Sequence, residues 1–376
     1  MKKLKILFTL SVFVFAFVGC DSCNQKTMKE EIKIGVVLSL TGKGATYGMN
    51  AKNGMQLAIE ELNKKSPFDK QNISLIIEDS KSSAYSALSA FNKLIEIDHV
   101  PVAVGFVLSD EVLACAPIAE KQKIILLTTA AGSDKIKDAG DYIFRNRESG
   151  NFQSKAIAEF AFNKLGFKEF AVLYSNSANG VSYKNAFVNS IQSLGGKVDL
   201  IEGYNEGKTN YKDEIEKLKH TKVASVYLAG LDVELGQILK QSKELNFSPQ
   251  FLSSAGGISP KLLEIAGNAS EGLICGSSPF DTSSTDLHIR DFIQSYISHF
   301  NQQPDFISAN SYDAIYMLAN LFSEGKTTSE EIKKGLYGIK NYKSIGGVTT
   351  FDSDGEVIKP ISIVKVIYGK FTPFNK

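Results

Sequence analysis

The chain is short of cysteine and histidine and almost without net charge, and each shortage removes a class of function. Only four cysteines and four histidines occur in 376 residues. His99, His220, His288 and His299 stand apart from one another, so no metal-ligand cluster is expected. Cys20 and Cys23 lie near the N-terminus, while Cys115 and Cys275 sit in apolar contexts that suit buried small hydrophobes. So few thiols build no disulfide framework, although a single bridge stays open. Lys+Arg 42 against Asp+Glu 41 leaves a formal net charge of +1. With no basic stripe, nucleic acid is not an expected partner. Enzyme signatures are missing too: no H-E-x-x-H, no glycine-x-serine-x-glycine elbow and no P-loop. Gly42, Gly44 and Gly48 follow the first apolar run as in a dinucleotide fingerprint, but Tyr47 stands where the third glycine belongs. The acidic stretch 352–356 lacks calcium-loop spacing and reads as a turn. No cofactor, no metal and no catalysis are expected.

What is present begins with an export signal. Lys2, Lys3 and Lys5 precede an apolar run over residues 6–18, too short to span a bilayer comfortably. The run ends in Phe17-Val18-Gly19-Cys20, which resembles a bacterial lipobox. Residues 1–19 are therefore expected to be a signal peptide, and Cys20 the lipidated N-terminus of the mature chain. Residues 20–31 are polar, without apolar period, and read as a tether. The expected location is extracytoplasmic, lipid-anchored on the outer side of the cytoplasmic membrane or in the periplasm. Beyond the leader, enough chain remains for two ordinary domains with their own cores.

That remainder alternates β-branched runs with amphipathic windows. Runs at 32–38, 73–77, 102–104 and 124–127 alternate with helical spacing at 51–62, 84–97 and 111–121. The series restarts with runs at 170–174, 197–203, 223–228, 251–252 and 273–275. A helical window at 151–165 precedes them, and others at 183–194, 210–218, 234–245 and 260–265 lie between them. Such alternation predicts parallel βαβ units, and two series of this length predict two Rossmann-like lobes in an α/β chain. Three helices in succession at 286–300, 309–322 and 329–338 break the pattern. Runs at 347–351 and 361–367 follow and read as a hairpin across 352–355. These late segments are expected to return to the earlier sheets, so the chain crosses between lobes more than once.

In open α/β sheets, ligands bind beyond the carboxyl ends of the strands. Two junctions there stand out. The stretch 105–110 leaves a strand and starts a helix at Ser109 or Asp110. The stretch 127–133 is a small, hydroxyl-rich loop. A helix N-terminus beside a serine hydroxyl suits a carboxylate; the plainer role of Ser109 is an N-cap, with a contribution of about 1 kcal/mol. Tyr47 belongs either to a tight turn or to the edge of a cleft.

The chain from about residue 32 to the end resembles the periplasmic leucine/isoleucine/valine-binding proteins, venus-flytrap receptors that serve ATP-driven amino-acid importers. The resemblance rests on Ile34-Gly35-Val36-Val37, Ser39-Leu40-Thr41-Gly42, Tyr47-Gly48, Asn53-Gly54 and Glu78-Asp79-Ser80. It continues at Phe144-Arg145, Gly236-Gln237 and Glu271-Gly272-Leu273. It implies a type I periplasmic binding protein, two lobes joined by a multi-crossover hinge and closing on a ligand. Lobe 1 is expected over 32–146 and 278–345, lobe 2 over 147–277 and 346–376. The implied partners are a small amino-acid-like or amide solute, an ABC permease and the membrane; a sensor feeding a signalling partner is the alternative. Carried over singly, Tyr47 covers the ligand, Ser109 holds its α-carboxylate and ammonium, and Ala130 offers a backbone contact. A hydroxyl of the family falls on Gly132, with Thr129 and Ser133 as neighbouring substitutes. A second-lobe tyrosine falls on Asn179, an aromatic on Leu231 beside Asp232, and the ammonium-pairing glutamate on Ala255. Either Asp232 or Asp110 then supplies the negative charge, or the ligand is not an ordinary α-amino acid.

Overall fold

The computed structural model describes residues 30–64 and 71–374. The leader, Cys20, Cys23 and most of the tether lie outside the described residues.

Nearly every expected strand forms, and the strands gather into two sheets. The first holds β1 (Glu30–Leu38), β2 (Gln71–Asp79), β3 (Val102–Gly105), β4 (Ile125–Thr128) and β5 (Ile143–Arg145). Its order is β2-β1-β3-β4-β5, and every pairing is parallel. Helices α1 (Ala45–Lys64), α2 (Ala84–Glu96) and α3 (Ser109–Gln122) make the crossovers. Because both faces are covered, β3 and β4 are apolar runs buried along their whole length.

The second sheet takes β6 (Glu169–Ser175), β7 (Lys197–Tyr204), β8 (Ser225–Ala229), β9 (Gln250–Ser253) and β10 (Ile274–Ser277). Helix α4 (Gly150–Glu159) leads into β6, and between the strands run α5 (Ala178–Ser193), α6 (Lys212–Thr221), α7 (Asp232–Glu244) and α8 (Pro260–Ala266). Ser259 caps α8 by accepting from the Lys261 N–H, with Pro260 in the first turn. After β10 the chain returns to the first lobe as α9 (Leu287–Phe300), α10 (Phe306–Ser323) and α11 (Ser329–Gly338). There α10 packs along α1, and Ala309, Ile315 and Leu318 join Met55 and Ala58 in one core.

The C-terminal strands depart from the expected hairpin. Instead, β11 (Tyr342–Ser344) pairs with β12 (Gly347–Thr349), and β13 (Ser362–Ile367) pairs with β10 and with β14 (Lys370–Pro373). The full second order is β14-β13-β10-β9-β8-β6-β7. Phe351 and Val357, inside the stretch 346–376, pack in the first lobe's core, so the chain joins the second sheet only at Ser362. The acidic turn does form: the Asp352 N–H donates to the Glu356 carbonyl, and Asp352 Oδ1 accepts from the Asp354 and Glu356 N–H groups. Cys115 lies in the first lobe and Cys275 in the second sheet, both buried and free, so these two do not pair.

Three segments carry the chain between the lobes, and buried polar groups tie them together. Arg145, at the end of β5, pairs with Glu356 and donates to the Ser133 carbonyl at 2.9 Å. Asn146 Nδ2 reaches the Asn310 carbonyl at 2.9 Å. Lys359, fully buried, donates to Asn146 Oδ1 at 3.3 Å and to Asn310 Oδ1 at 3.4 Å. Ser278, just past β10, donates to Glu148.

Candidate functional site

The carboxyl edges of the two sheets face each other across a cleft, and the loops leaving them line a small cavity. From the first lobe come Tyr47 in the first turn of α1, Val107 to Ser109 after β3, Ala130 and Gly132 after β4, and Phe306 and Ile307 at the start of α10. The second lobe adds Asn179 and Tyr183 on α5, Leu231 after β8 and Gly256 after β9. Arg147, on the first crossing segment, completes the wall.

Ser109 is the first helical residue of α3 and does not cap it; the capping position is Leu108. Its Oγ instead accepts the N–H groups of Gly132 at 3.2 Å and Ser133 at 3.0 Å, welding the β3 and β4 loops together. With both acceptor positions engaged, the hydroxyl proton is left to donate. Tyr47 spans the cleft, its hydroxyl donating to the Gly256 carbonyl at 3.1 Å. Burial foremost, and the nearby Asp232 carboxylate next, push its phenol well above the usual value, so it stays a neutral donor. A Cβ at Gly132 would fall 2.6 Å from the Tyr183 hydroxyl and 2.7 Å from Asn179 Oδ1. The absence of a side chain there is what lets α5 approach.

Tyr47, Ser109, Ala130, Gly132 and Asn179 thus meet around one cavity. Leu231 joins them, whereas Asp110, Thr129, Ser133, Asp232 and Ala255 do not line it. Asp110 follows Ser109 in the first turn of α3, partly exposed. Thr129 Oγ1 accepts from Ser311 at 2.8 Å. Ser133 shares a 3.1 Å hydroxyl contact with Ser182 between the lobes. Ala255 is buried, its N–H donating to Gln153 Oε1 at 3.3 Å, and its neighbour Gly256 is the residue at the wall. Asp232 is 1% exposed and turned into its own lobe, accepting from Ser259 Oγ at 2.7 Å and from the Val233 N–H at 2.9 Å. Burial raises its carboxyl above the ordinary range, while the Ser259 and Val233 bonds act the other way.

Sequence reasoning missed Arg147, Tyr183, Phe306 and Ile307. The Arg147 guanidinium donates to the Ala130 carbonyl and, at 2.7 Å, to the Tyr183 hydroxyl, with the Phe306 ring centroid 5.4 Å from its carbon. A signal was available: Arg145, Arg147 and Glu148 follow directly on an apolar run, a place where charge is costly unless used. Among the described residues no group of three or more His, Cys, Asp or Glu side chains could hold a metal ion.

This two-lobed arrangement has known counterparts. The periplasmic binding protein profile matches residues 31–370. The chain belongs to that family. Among its periplasmic binding protein relatives, the leucine-, isoleucine-, valine-, threonine- and alanine-binding protein of Pseudomonas aeruginosa is 26% identical over 332 residues, covering 87% of each chain. The Leu/Ile/Val-binding protein of Escherichia coli K12 is 24% identical over 259 residues, 68% of this chain and 70% of that one. Of solved periplasmic binding proteins, the leucine-binding protein LivK from Thermotoga maritima superposes with a TM-score of 0.86 at 26% identity, covering 92% of this chain and 98% of that one. The branched-chain amino acid binding protein LivJ from Streptococcus pneumoniae, solved with isoleucine, gives 0.85 at 25% identity, covering 91% and 98%. The fold is the type I form, two α/β lobes about a cleft.

Proposed function

We propose that this chain is the extracytoplasmic solute-binding component of an ABC importer. It captures a branched-chain amino acid or a related small amino-acid-like solute by closing its lobes. The observation that carries the reading is the cavity, lined from both lobes and from the crossing segment between them. A solute held there contacts Ser109 and Tyr47 on one side and Asn179, Tyr183 and Leu231 on the other, so it favours the closed state by differential affinity. The relatives named for leucine, isoleucine and valine support the solute class. The reading involves no turnover: Ser109, the serine of the wall, is engaged by two backbone N–H groups, and no described side chain hydrogen-bonds to it as a base. Cys20 supplies the membrane end of the proposal, since Gly19-Cys20 after an apolar run suits lipid attachment, and the partner is then a permease in the same membrane.

A thermal-shift screen of the full-length chain in detergent, against amino acids, their amides and small carboxylates, tests this. A cleft ligand raises the midpoint by mass action, in proportion to ln(1 + [L]/Kd). A concentration-dependent rise with at least one member of the panel is expected; a flat response to all of them at millimolar concentration overturns the reading.

A further inference from the structure

We infer that the solute of this site is a small apolar monocarboxylate with no α-ammonium, bound through its carboxylate by Arg147 and Ser109. This rests on the importer reading above and narrows its ligand class.

Arg147 is 4% exposed and lines the cavity. Its bonds to Ala130 and Tyr183 and the Phe306 ring fix the guanidinium plane, yet Nε is buried with no hydrogen-bond partner. No ion pair joins it to any described carboxylate, whereas Arg145, two residues earlier, has Glu356. A buried cation without a counter-charge is costly, and a carboxylate meets the planar donor fork in a geometry that an ammonium-bearing or neutral group does not. Ser109 adds a free hydroxyl proton to the same wall.

The ammonium of an α-amino acid finds nothing equivalent. Among the described residues no carboxylate lines the cavity. The buried carboxylates nearest in influence on Tyr47 are both committed: Asp232 to Ser259 and Val233, Asp305 to Asn50 and the Ser308 N–H. An α-ammonium also sits one carbon from the carboxylate, which places it beside the guanidinium as a like charge. A neutral α-hydroxyl can donate to Asn179 Oδ1, a buried acceptor without a partner, and brings no second positive charge beside Arg147. Leu231, Phe306 and Ile307 then receive the apolar tail.

The test is titration calorimetry on the full-length chain in detergent at pH 7.5. The probes are (S)-2-hydroxy-4-methylpentanoate, L-leucine and L-leucinamide. The hydroxy acid should bind at least tenfold tighter than leucine, and leucinamide should give no heat. Arg147→Gln should weaken the hydroxy acid at least tenfold and abolish its advantage over leucine, while Arg147→Lys, keeping the charge, should retain part of it. Ligand-free melting curves of both variants separate lost binding from lost folding. Leucine binding as tightly as the hydroxy acid, or more tightly, overturns this inference and leaves the importer reading standing; silence from all three probes, together with a flat thermal-shift panel, overturns both.

Discussion

Two buried arginines lie two residues apart along the chain, Arg145 in the hinge and Arg147 in the cleft. In the hinge, Arg145 has Glu356 as an ion partner, and Lys359 has Asn146 and Asn310 to donate to, with Glu148 and Asp313 as charged neighbours. In the cleft, Arg147 has a carbonyl, a phenol and a ring, and no anion. In the hinge the cations have carboxylates beside them, and these charges join the crossing segments. The cleft guanidinium has no carboxylate in ion-pair contact among the described residues.

The sharpest way to break the comparison is Glu356→Ala. It leaves Arg145 buried without its counter-ion and should lower stability by about 3–5 kcal/mol, measured by urea unfolding. A loss under about 1 kcal/mol would mean that the hinge charges are not an interdependent set. Ser109→Ala comes next. It removes the hydroxyl offered to the solute and the acceptor of two backbone N–H groups, and should weaken binding by roughly 1–3 kcal/mol in calorimetry.

The smallest effect belongs to Asp232→Asn, which should change affinity for the preferred solute by no more than about twofold. Its signature lies in pH. Burial raises the Asp232 carboxyl in the folded chain, so the folded state holds the proton more readily than the unfolded chain, whose value is about 3.9. Its share of stability is therefore fully present below the unfolded value and lost as pH rises through the raised one. The asparagine variant should flatten that part of the curve, seen as a difference in urea midpoints between pH 4 and 7. A large loss of affinity in this variant would instead put Asp232 on an ammonium.

The parallel βα series was legible because each strand is a short β-branched run and each helix has an apolar face; residues 32–38 fall inside β1 and 102–104 inside β3. Ser109 and the 127–133 loop stood out for a topological reason, since they follow strand ends where ligands gather, while Ala130 and Gly132 as single positions came from the family resemblance. Phe306 was not. It reaches the cavity only because α10 packs along α1, about 260 residues away in sequence from Tyr47, and no local pattern encodes that. The hairpin failed similarly: β12 found its partner in Tyr342-Lys343-Ser344, a stretch with no β-branched residue to announce a strand. Arg147 was hidden behind β5, three residues long and too brief for periodicity to register. Asp232 shows the converse error. Its sequence position beside Leu231 suggested the cleft, but Ser259 draws its carboxylate into its own lobe.

The bonds that cross the mouth without touching the solute carry a consequence for selectivity. Lys43 to Glu206 and Ser133 to Ser182 join the lobes whatever lies between them. By linkage, such contacts shift the balance toward closure equally for every solute, so they scale all affinities by one common factor and leave their ratios untouched. Discrimination must come from atoms that differ in how well different solutes satisfy them: the Arg147 guanidinium, the Ser109 hydroxyl and the Asn179 amide. Lineages that retune the rim, adding or losing an ion pair such as Lys43 with Glu206, can therefore match affinity to the concentration of solute outside the cell without altering which solute is taken up.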